Sequence, residues 1–145
     1  MPRPDSTRAR VFVDTGVLVA AHDTNAGARQ AAASHALRQV WEDGSGVVST
    51  QVLDEFYRHV TEEIVEPLLR RDARDLITPY RAWSVVALDA DDLFAASDAQ
   101  DRFKLAYADA LVLVAASKGR ATTLLSEAFL PYRQLAGIDI RNPFA

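Results

Sequence analysis

The sequence predicts a single α/β domain of three layers, α/β/α, with a central and mainly parallel sheet. Short apolar segments alternate along the chain with longer helical segments, which is typical of a parallel sheet covered by helices on both faces. The chain has 145 residues, 49% of them hydrophobic and 25% charged. This is the size and balance of one ordinary globular domain. We therefore expect residues 1–145 to form one domain, with residues 1–8 as a flexible tail.

The first half of the chain contains two predicted strands, each followed by helices. A strand over 9–14 stops at Asp14, and a short helical stretch follows over 17–21. Apolar residues recur at helical spacing over 26–41, and Gly44 and Gly46 end that helix. A second strand over 46–50 leads into an amphipathic helix over 52–64. That helix breaks near Pro67, and a further helix over 68–77 stops at Pro79.

The second half repeats the alternation. It contains a strand over 84–89, a helix over 91–103 and a strongly apolar helix over 107–118 that Gly119 closes. Two last strands are predicted over 122–125 and 138–140. Because each strand is separated from the next by at least one helix or a long connection, we expect most strand pairs to be parallel.

Composition excludes several classes of protein. The chain has no cysteine, which excludes disulfides, thiolate zinc sites and cysteine nucleophiles. Its net charge of −4 argues against a protein that coats nucleic acid by bulk positive charge, although a carboxylate metal site would itself contribute negative charges. The longest apolar run, over 105–116, contains Asp109 and is too short to span a membrane. Residues 1–10 lack the apolar core of a secretory signal, so we expect a cytoplasmic protein with no membrane association.

Polar side chains follow three of the predicted strands, where ligands bind in open α/β sheets. Asp14 ends the first strand, and Asp54 and Glu55 lie on the helix after the second. Ser126 and Glu127 follow the strand over 122–125. Oxygen ligands of this kind suit a hard cation such as Mg²⁺ or Mn²⁺. The sequence therefore indicates an acidic site at the carboxyl edge of the sheet.

Each of these residues also has an ordinary structural explanation. Asp14 or Thr15 can cap the following helix. Asp54 and Glu55 both lie off the apolar stripe of their helix, so helical periodicity does not separate a metal ligand from a surface charge. The residues after 125 can simply form a turn.

Asp109 is unusual because it begins a helix that is apolar on every side, which indicates a buried helix. A buried carboxylate is costly unless it is paired, hydrogen-bonded or bound to a metal. Its position in the first turn offers a second explanation, since the helix dipole and free N–H groups stabilise an acid there.

Several short motifs carry a resemblance to a known family. They are VFVDTGVL (11–18), STQVLDEF (49–56), YADALV (107–112), LLSEAF (124–129) and the closing IDIRNPF (138–144). In this order and spacing they resemble the PIN-domain ribonucleases, and within them the VapC-type toxins of bacterial toxin–antitoxin pairs. Each motif alone is weak, but together they span nearly the whole chain.

The resemblance implies an endoribonuclease that hydrolyses RNA phosphodiester bonds with Mg²⁺ or Mn²⁺. It matches the family's acids to Asp14, Glu55 and Asp109, and so favours Glu55 over Asp54. Thr15 would support the metal shell. Ser126 would orient water or an outer ligand, with Glu127 as a substitute metal ligand. The family also implies an RNA substrate, a cognate antitoxin protein and a homodimer.

One departure from the family leaves a second function open. The family commonly has an acid at the position of Ala128, whereas Glu127 stands one residue early. A PIN-like module with weak or no nuclease activity, binding RNA or protein, is therefore the alternative. A phosphotransfer domain fits less well. A haloacid-dehalogenase-type phosphatase needs a second Asp where Gly16 stands, and a receiver needs a late lysine, whereas Lys104 and Lys118 both lie on helices.

Arginines offer candidate contacts for RNA phosphates. The candidates near the acidic site are Arg58, Arg70, Arg71 and Arg74. Arginines in such positions more often belong to a solvated helix face, and we expect that for these four. At the amino terminus, Arg3, Arg8 and Arg10 can contact a polyanion or belong to a frayed end, and we expect the frayed end.

Overall fold

The computed structural model of the protein describes residues 9–130 and 132–145. Its strands form one sheet in the order β3-β2-β1-β4-β6-β5. They are β1 (Val11–Val13), β2 (Gly46–Ser49), β3 (Ser84–Val86), β4 (Thr123–Leu125), β5 (Gln134–Leu135) and β6 (Ile138–Arg141). Every neighbouring pair is parallel except β5 with β6. The predicted tail over 1–8 lies outside the described residues.

Six α-helices flank the sheet in the described part of the chain. They are α1 (Thr15–His22), α2 (Ala28–Asp43), α3 (Thr50–Arg58), α4 (Arg70–Ile77), α5 (Ala90–Phe103) and α6 (Tyr107–Lys118). A π-helical turn (His59–Glu63) extends α3, and a 3₁₀ turn (Thr78–Ala82) follows α4. The predicted α/β/α fold with a mainly parallel sheet is confirmed.

Side-chain caps set several element boundaries. The Ser49 hydroxyl accepts a hydrogen bond from the Val52 N–H (3.1 Å) and begins α3 directly after β2. Asp89 and Asp92 each accept a hydrogen bond from the other's backbone N–H, which starts α5. The predicted strand over 84–89 was therefore too long, because Asp89 caps a helix and the strand ends at Val86.

One strand escaped prediction. β5 pairs antiparallel with β6, with Leu135 opposite Ile138. The two residues between them, Ala136 and Gly137, both have positive φ angles of 52° and 78°, which is the backbone of a tight hairpin turn. A two-residue strand is too short to show alternation, and alanine is an unusual residue for a positive φ.

The core lies on both sides of the central strands. Phe12, Val48 and Leu124 are fully buried in β1, β2 and β4. The prediction that the helix over 107–118 is buried is confirmed, because it buries six residues (Ala110, Leu111, Val112, Leu113, Ala115 and Ala116). No helix in the described residues is long and apolar enough to cross a bilayer.

Strand β3 lies at one edge of the sheet and has only three residues. Arg10 lies beside it: its Nε donates to the Gly119 carbonyl (2.8 Å) and its Nη2 to the Ser84 hydroxyl (3.0 Å). The expectation that Arg10 belongs to a frayed end was wrong, because these bonds tie it to the end of α6 and the start of β3. Arg3 and Arg8 lie outside the described residues. Arg10 and Lys118 line a cavity of about 490 Å³ along this edge.

An aromatic cluster packs between the helices and β2. The rings of Tyr80 and Trp83 meet edge to face at 4.9 Å, and Trp41 lies 5.0 Å from Trp83. His22 stacks on Phe56 at 5.6 Å, and a 2.7 Å hydrogen bond joins its Nε2 to the Tyr80 hydroxyl. Burial lowers the pKa of His22 and raises the pKa of Tyr80 to about 12. Both side chains are therefore neutral in the folded protein at neutral pH.

This buried histidine predicts a pH dependence of stability. Because the pKa of His22 in the fold lies below the ordinary 6.5, the unfolded chain takes up its proton first as the pH falls. The free energy of unfolding should then decrease below about pH 6.5. In His22→Gln that decrease should be smaller in urea unfolding measured from pH 7.5 to pH 5. His35→Gln, which removes an exposed histidine from α2, is the matched control, and equal pH profiles for all three proteins would contradict the prediction.

Candidate active site

The register of the sheet brings Asp14 and Ser126 together. Val13 in β1 lies opposite Leu125 in β4, so the two next residues leave the sheet side by side. The Asp14 N–H donates to the Leu125 carbonyl at 3.0 Å. The buried Ser126 hydroxyl donates to Asp14 Oδ2 at 2.7 Å. The sequence-predicted proximity of these strand ends therefore results directly from the parallel pairing.

Asp14 also caps α1, because its Oδ1 accepts a hydrogen bond from the Thr15 N–H at 2.8 Å. Capping and membership of the acidic site are thus combined in one residue. The Thr15 hydroxyl in turn donates to Glu55 Oε2 at 3.0 Å, while Gln51 on α3 donates to Glu55 Oε1 at 3.3 Å. A chain of hydrogen bonds therefore links Ser126, Asp14, Thr15 and Glu55.

The structure also separates the two neighbouring acids of α3. Asp54 is exposed and lies 3.7 Å from Arg58 in an ion pair. Glu55 faces Thr15 and is only partly exposed. Helical periodicity alone did not distinguish them, and it is Glu55 that lies in the acidic site.

Asp109 lies in the first turn of α6 and is partly buried. Burial and then the charge of Glu55 raise its pKa. The pKa of Asp14 is raised mainly by burial; hydrogen bonds from Ser126 and Thr15 lower it, and the charges of Asp109 and Glu55 raise it further. The three carboxylates thus repel one another across one shared site.

The donor chemistry of this site fits a divalent cation. Its charged donors are carboxylate oxygens, the ligands that Mg²⁺ and Mn²⁺ prefer, and a cation would offset their repulsion. Within the described ranges, no three acidic or histidine side chains form a group already close enough to hold a metal ion. Asp14, Glu55 and Asp109, which affect one another's pKa, are the residues that would hold the cation, and their side chains would have to move closer together around it.

Glu127 has a different partner. Arg29 on α2 donates from Nη1 to Glu127 Oε2 (3.0 Å) and from Nη2 to Oε1 (2.7 Å), which lowers the pKa of Glu127. The Arg29 guanidinium also lies 4.0 Å from the centre of the Phe144 ring. Both charged side chains are nearly half exposed, at 48% and 40%, so the pair contributes about 1 kcal/mol or less to stability. A ligand role for Glu127 stays a prediction.

The loop after β4 holds the departure from the family pattern. Ala128 is exposed, and its N–H donates to the Ser126 hydroxyl at 3.0 Å. That hydroxyl therefore has its proton directed at Asp14 and its acceptor side occupied. Residue 128 is thus bonded through its backbone N–H to Ser126, and the Ser126 hydroxyl donates to Asp14.

The other predicted arginines are exposed. Arg70, Arg71 and Arg74 line an open depression on α4 together with Leu69, and Arg71 lies 3.9 Å from Asp72. This exposure agrees with the interpretation of these arginines as a solvated helix face. A role in binding phosphate stays a prediction for these residues and for Arg58.

The repulsion in the acidic site predicts the effect of Asp109→Asn. With metal removed by EDTA at pH 7, the variant should unfold at the wild-type temperature or a few degrees higher, because the raised pKa means that the charged form destabilises the fold. The rise in melting temperature that Mn²⁺ produces should largely disappear. Asp98→Asn, on the exposed face of α5, is the matched control. A full Mn²⁺ response in Asp109→Asn would show that Asp109 is not a ligand.

The fold and the site together define an α/β protein with a carboxylate cluster at the carboxyl edge of a mainly parallel sheet. Residues 11–127 match the family model of the PIN domain, and the chain belongs to this family. Members of the family are nucleases that generally use divalent metal ions. No curated protein matches the chain.

Three solved structures share the fold at low sequence identity. A toxin–antitoxin complex from Klebsiella pneumoniae has a TM-score of 0.66 and 17% identity, covering 93% of this chain and 98% of that one. VapC20 of Mycobacterium tuberculosis, a toxin that cleaves the sarcin–ricin loop, has a TM-score of 0.61 and 18% identity over 79% of this chain and 86% of its own. VapBC2 from Rickettsia felis, bound to a DNA fragment from its promoter, has a TM-score of 0.64 and 13% identity, covering 91% of this chain and 97% of that one.

Proposed function

We propose that the protein is a divalent-metal-dependent endoribonuclease that acts as the toxin of a toxin–antitoxin pair. The observation that carries this proposal is the carboxylate site on a PIN fold, in which Asp14, Glu55 and Asp109 repel one another and two of them have raised pKa values. Cleavage of the sarcin–ricin loop by the structurally similar VapC20 supports RNA as the substrate. We propose Mg²⁺ or Mn²⁺ as the bound metal.

The residues of the site have distinct roles in this mechanism. A bound divalent ion lowers the pKa of water and offsets the charge that develops on the phosphate. Ser126 fixes the orientation of Asp14 by donating to its Oδ2, while the Thr15 N–H holds its Oδ1. Thr15 also orients Glu55 through its hydroxyl. These contacts preorganise two carboxylates that would otherwise rotate, which is the usual role of residues behind a metal's ligands.

Two adjacent acids of α3 provide a matched test of this function. Purified protein should cleave single-stranded RNA with Mg²⁺ or Mn²⁺ and not with EDTA. Glu55→Gln should lose this activity, whereas Asp54→Asn, one residue away and exposed, should keep it. Cleavage that persists in EDTA, or that both variants lose equally, would contradict the proposed function.

We also propose a cytoplasmic homodimer that binds a cognate antitoxin protein. Two of the similar structures are toxin–antitoxin assemblies, which supports an antitoxin partner. Light scattering after gel filtration should give about twice the chain mass of 15.9 kDa. Co-expression with the product of a small neighbouring gene should yield a stable complex, and a monomer that binds no such product would contradict this part of the proposal.

A second candidate function is favoured by the loop after β4. Ala128 replaces the family's acid, and the carboxylate of Glu127 is held by Arg29. With only three carboxylates, the protein would bind RNA or protein with little or no cleavage.

Restoring an acid at position 128 separates the two functions. Ala128→Asp should tighten Mn²⁺ binding, because affinity of oxygen sites rises with the number of charged ligands; isothermal titration measures it. RNA cleavage should rise or appear. Leu130→Asp, which adds the same charge at an exposed position of the same loop, is the control. Unchanged affinity in a folded Ala128→Asp protein would place position 128 outside the metal site.

A further inference from the structure

A second cavity opens beside the acidic site. It has a volume of about 270 Å³ and lies between α1, the start of α2 and the end of α3, with Thr15, Gly16, Asp23, Arg29 and His59 in its walls. Thr15 belongs to both places, because it lines this cavity and its hydroxyl donates to Glu55. A molecule in the cavity would therefore be adjacent to the carboxylates.

The wall of this cavity carries one arginine, Arg29, and one acid, Asp23, so Arg29 is the group that could bind an anion there. Arg29 presents a half-exposed guanidinium. The carboxylate of Asp23 accepts a hydrogen bond from the Asn25 N–H at 3.0 Å, within its own loop. His59 pairs through Nδ1 with Glu63 on the following turn. Binding an anion here therefore requires Arg29 to exchange its present partner, Glu127.

The present partner of Arg29 resembles a phosphate. Glu127 presents two oxygens to the guanidinium fork, which is the geometry that a phosphate also offers. Its carboxylate lies at the mouth of the cavity, since a Cβ on Gly16 would lie 3.6 Å from Glu127 Oε1. The Phe144 ring holds the guanidinium from one side, so Arg29 can exchange one oxygen pair for another without losing its position.

We propose that this cavity receives an RNA phosphate next to the one hydrolysed, and that Arg29 binds it in exchange for Glu127. In the free protein the Glu127 carboxylate then occupies the position of this phosphate and keeps Arg29 ordered. Glu127 is not a metal ligand in this arrangement. The inference rests on the proposed function for the identity of the polyanion. It assigns substrate positioning to a residue that no motif of the sequence singled out.

Binding of a fluorescent single-stranded RNA in EDTA tests the proposal without cleavage. Arg29→Ala should weaken binding about tenfold and lower the salt slope of log K by about 0.7, the value for one phosphate contact on a single strand. Arg38→Ala, which removes an exposed arginine from the same helix, should change binding less than about twofold. Glu127→Gln should bind RNA more tightly, because Arg29 is released from its ion pair.

The metal response of Glu127→Gln provides the second measurement. Its Mn²⁺-induced rise in melting temperature should equal that of the wild type. If Mn²⁺ no longer raised the melting temperature of Glu127→Gln, Glu127 would be a metal ligand and the proposal would be overturned. Equal losses of RNA binding in Arg29→Ala and Arg38→Ala would also overturn it. The proposed function fails separately: wild-type protein that binds RNA through Arg29 but never cleaves it would retain the subsite and exclude the nuclease.

Discussion

Asp14→Asn is expected to lower metal-dependent RNA cleavage by about a thousandfold or more. A charged ligand lost from the metal site removes several kcal/mol of transition-state stabilisation. The substitution keeps the shape of the side chain, and asparagine also caps helices well. The asparagine Oδ1 can still accept from the Thr15 N–H; its Nδ2 cannot accept from Ser126 as Asp14 Oδ2 does, so the Ser126 hydroxyl has to rotate and accept from Nδ2 instead. Cleavage of a labelled RNA at saturating Mn²⁺ measures the effect.

The fold of this variant should be intact, which thermal unfolding in EDTA checks. Burial raises the pKa of Asp14, so its charged form destabilises the folded protein at neutral pH, and the neutral amide should not lower the melting temperature. Activity above about a tenth of the wild-type rate would be incompatible with a ligand role. A lost fold would instead show that the charge of Asp14 is needed structurally.

Gly46→Ala is expected to lower the free energy of unfolding substantially. A Cβ at Gly46 would overlap the indole ring of Trp83, lying 2.7 Å from its Cε3. Trp83 is 8% exposed and packed against Trp41 and Tyr80, so the ring has little room to move. Overpacking of this kind costs about 3 kcal/mol, or about 10 °C in melting temperature for a chain of this length.

A second glycine provides the comparison. A Cβ at Gly16 would meet only Glu127 Oε1, at 3.6 Å, so Gly16→Ala should change stability by no more than about 1 kcal/mol. Trp83→Leu should destabilise on its own, but adding Gly46→Ala to it should cost much less than in the wild type. Equal costs of Gly46→Ala in both backgrounds would contradict the packing argument.

The edge of the sheet that carries the site was predictable because it depends on the order of the elements. Once strands alternate with helices, parallel pairing brings Asp14 and the residues after 125 to one edge. Asp109 was predictable for a different reason, namely a carboxylate on a helix without a polar face. Both arguments use local pattern and need no knowledge of distant contacts.

The contacts that sequence reasoning missed connect residues distant along the chain. Arg29 and Glu127 are 98 positions apart, and neither lies in a pattern that indicates a pair. Helical periodicity left Asp54 and Glu55 undecided because both lie off the apolar stripe of α3; the family resemblance favoured Glu55, and the contact with Thr15 is formed by Glu55. Strand β5 was missed because Gln134 and Leu135 are too few to show a period. Tertiary packing decides each of these.

The short strand β3 has a consequence for solubility at high concentration. An open sheet edge exposes unpaired backbone groups, on which another molecule can add a strand and begin aggregation. Here the edge offers three residues, and Arg10 and Lys118 stand beside it. A passing strand would find few hydrogen bonds there, and it would have to pass the side chain of Arg10 and that of Lys118, which is paired with Asp92 and Asp89. The opposite edge ends in the two-residue strand β5, so neither side of the sheet is a good template for fibril growth.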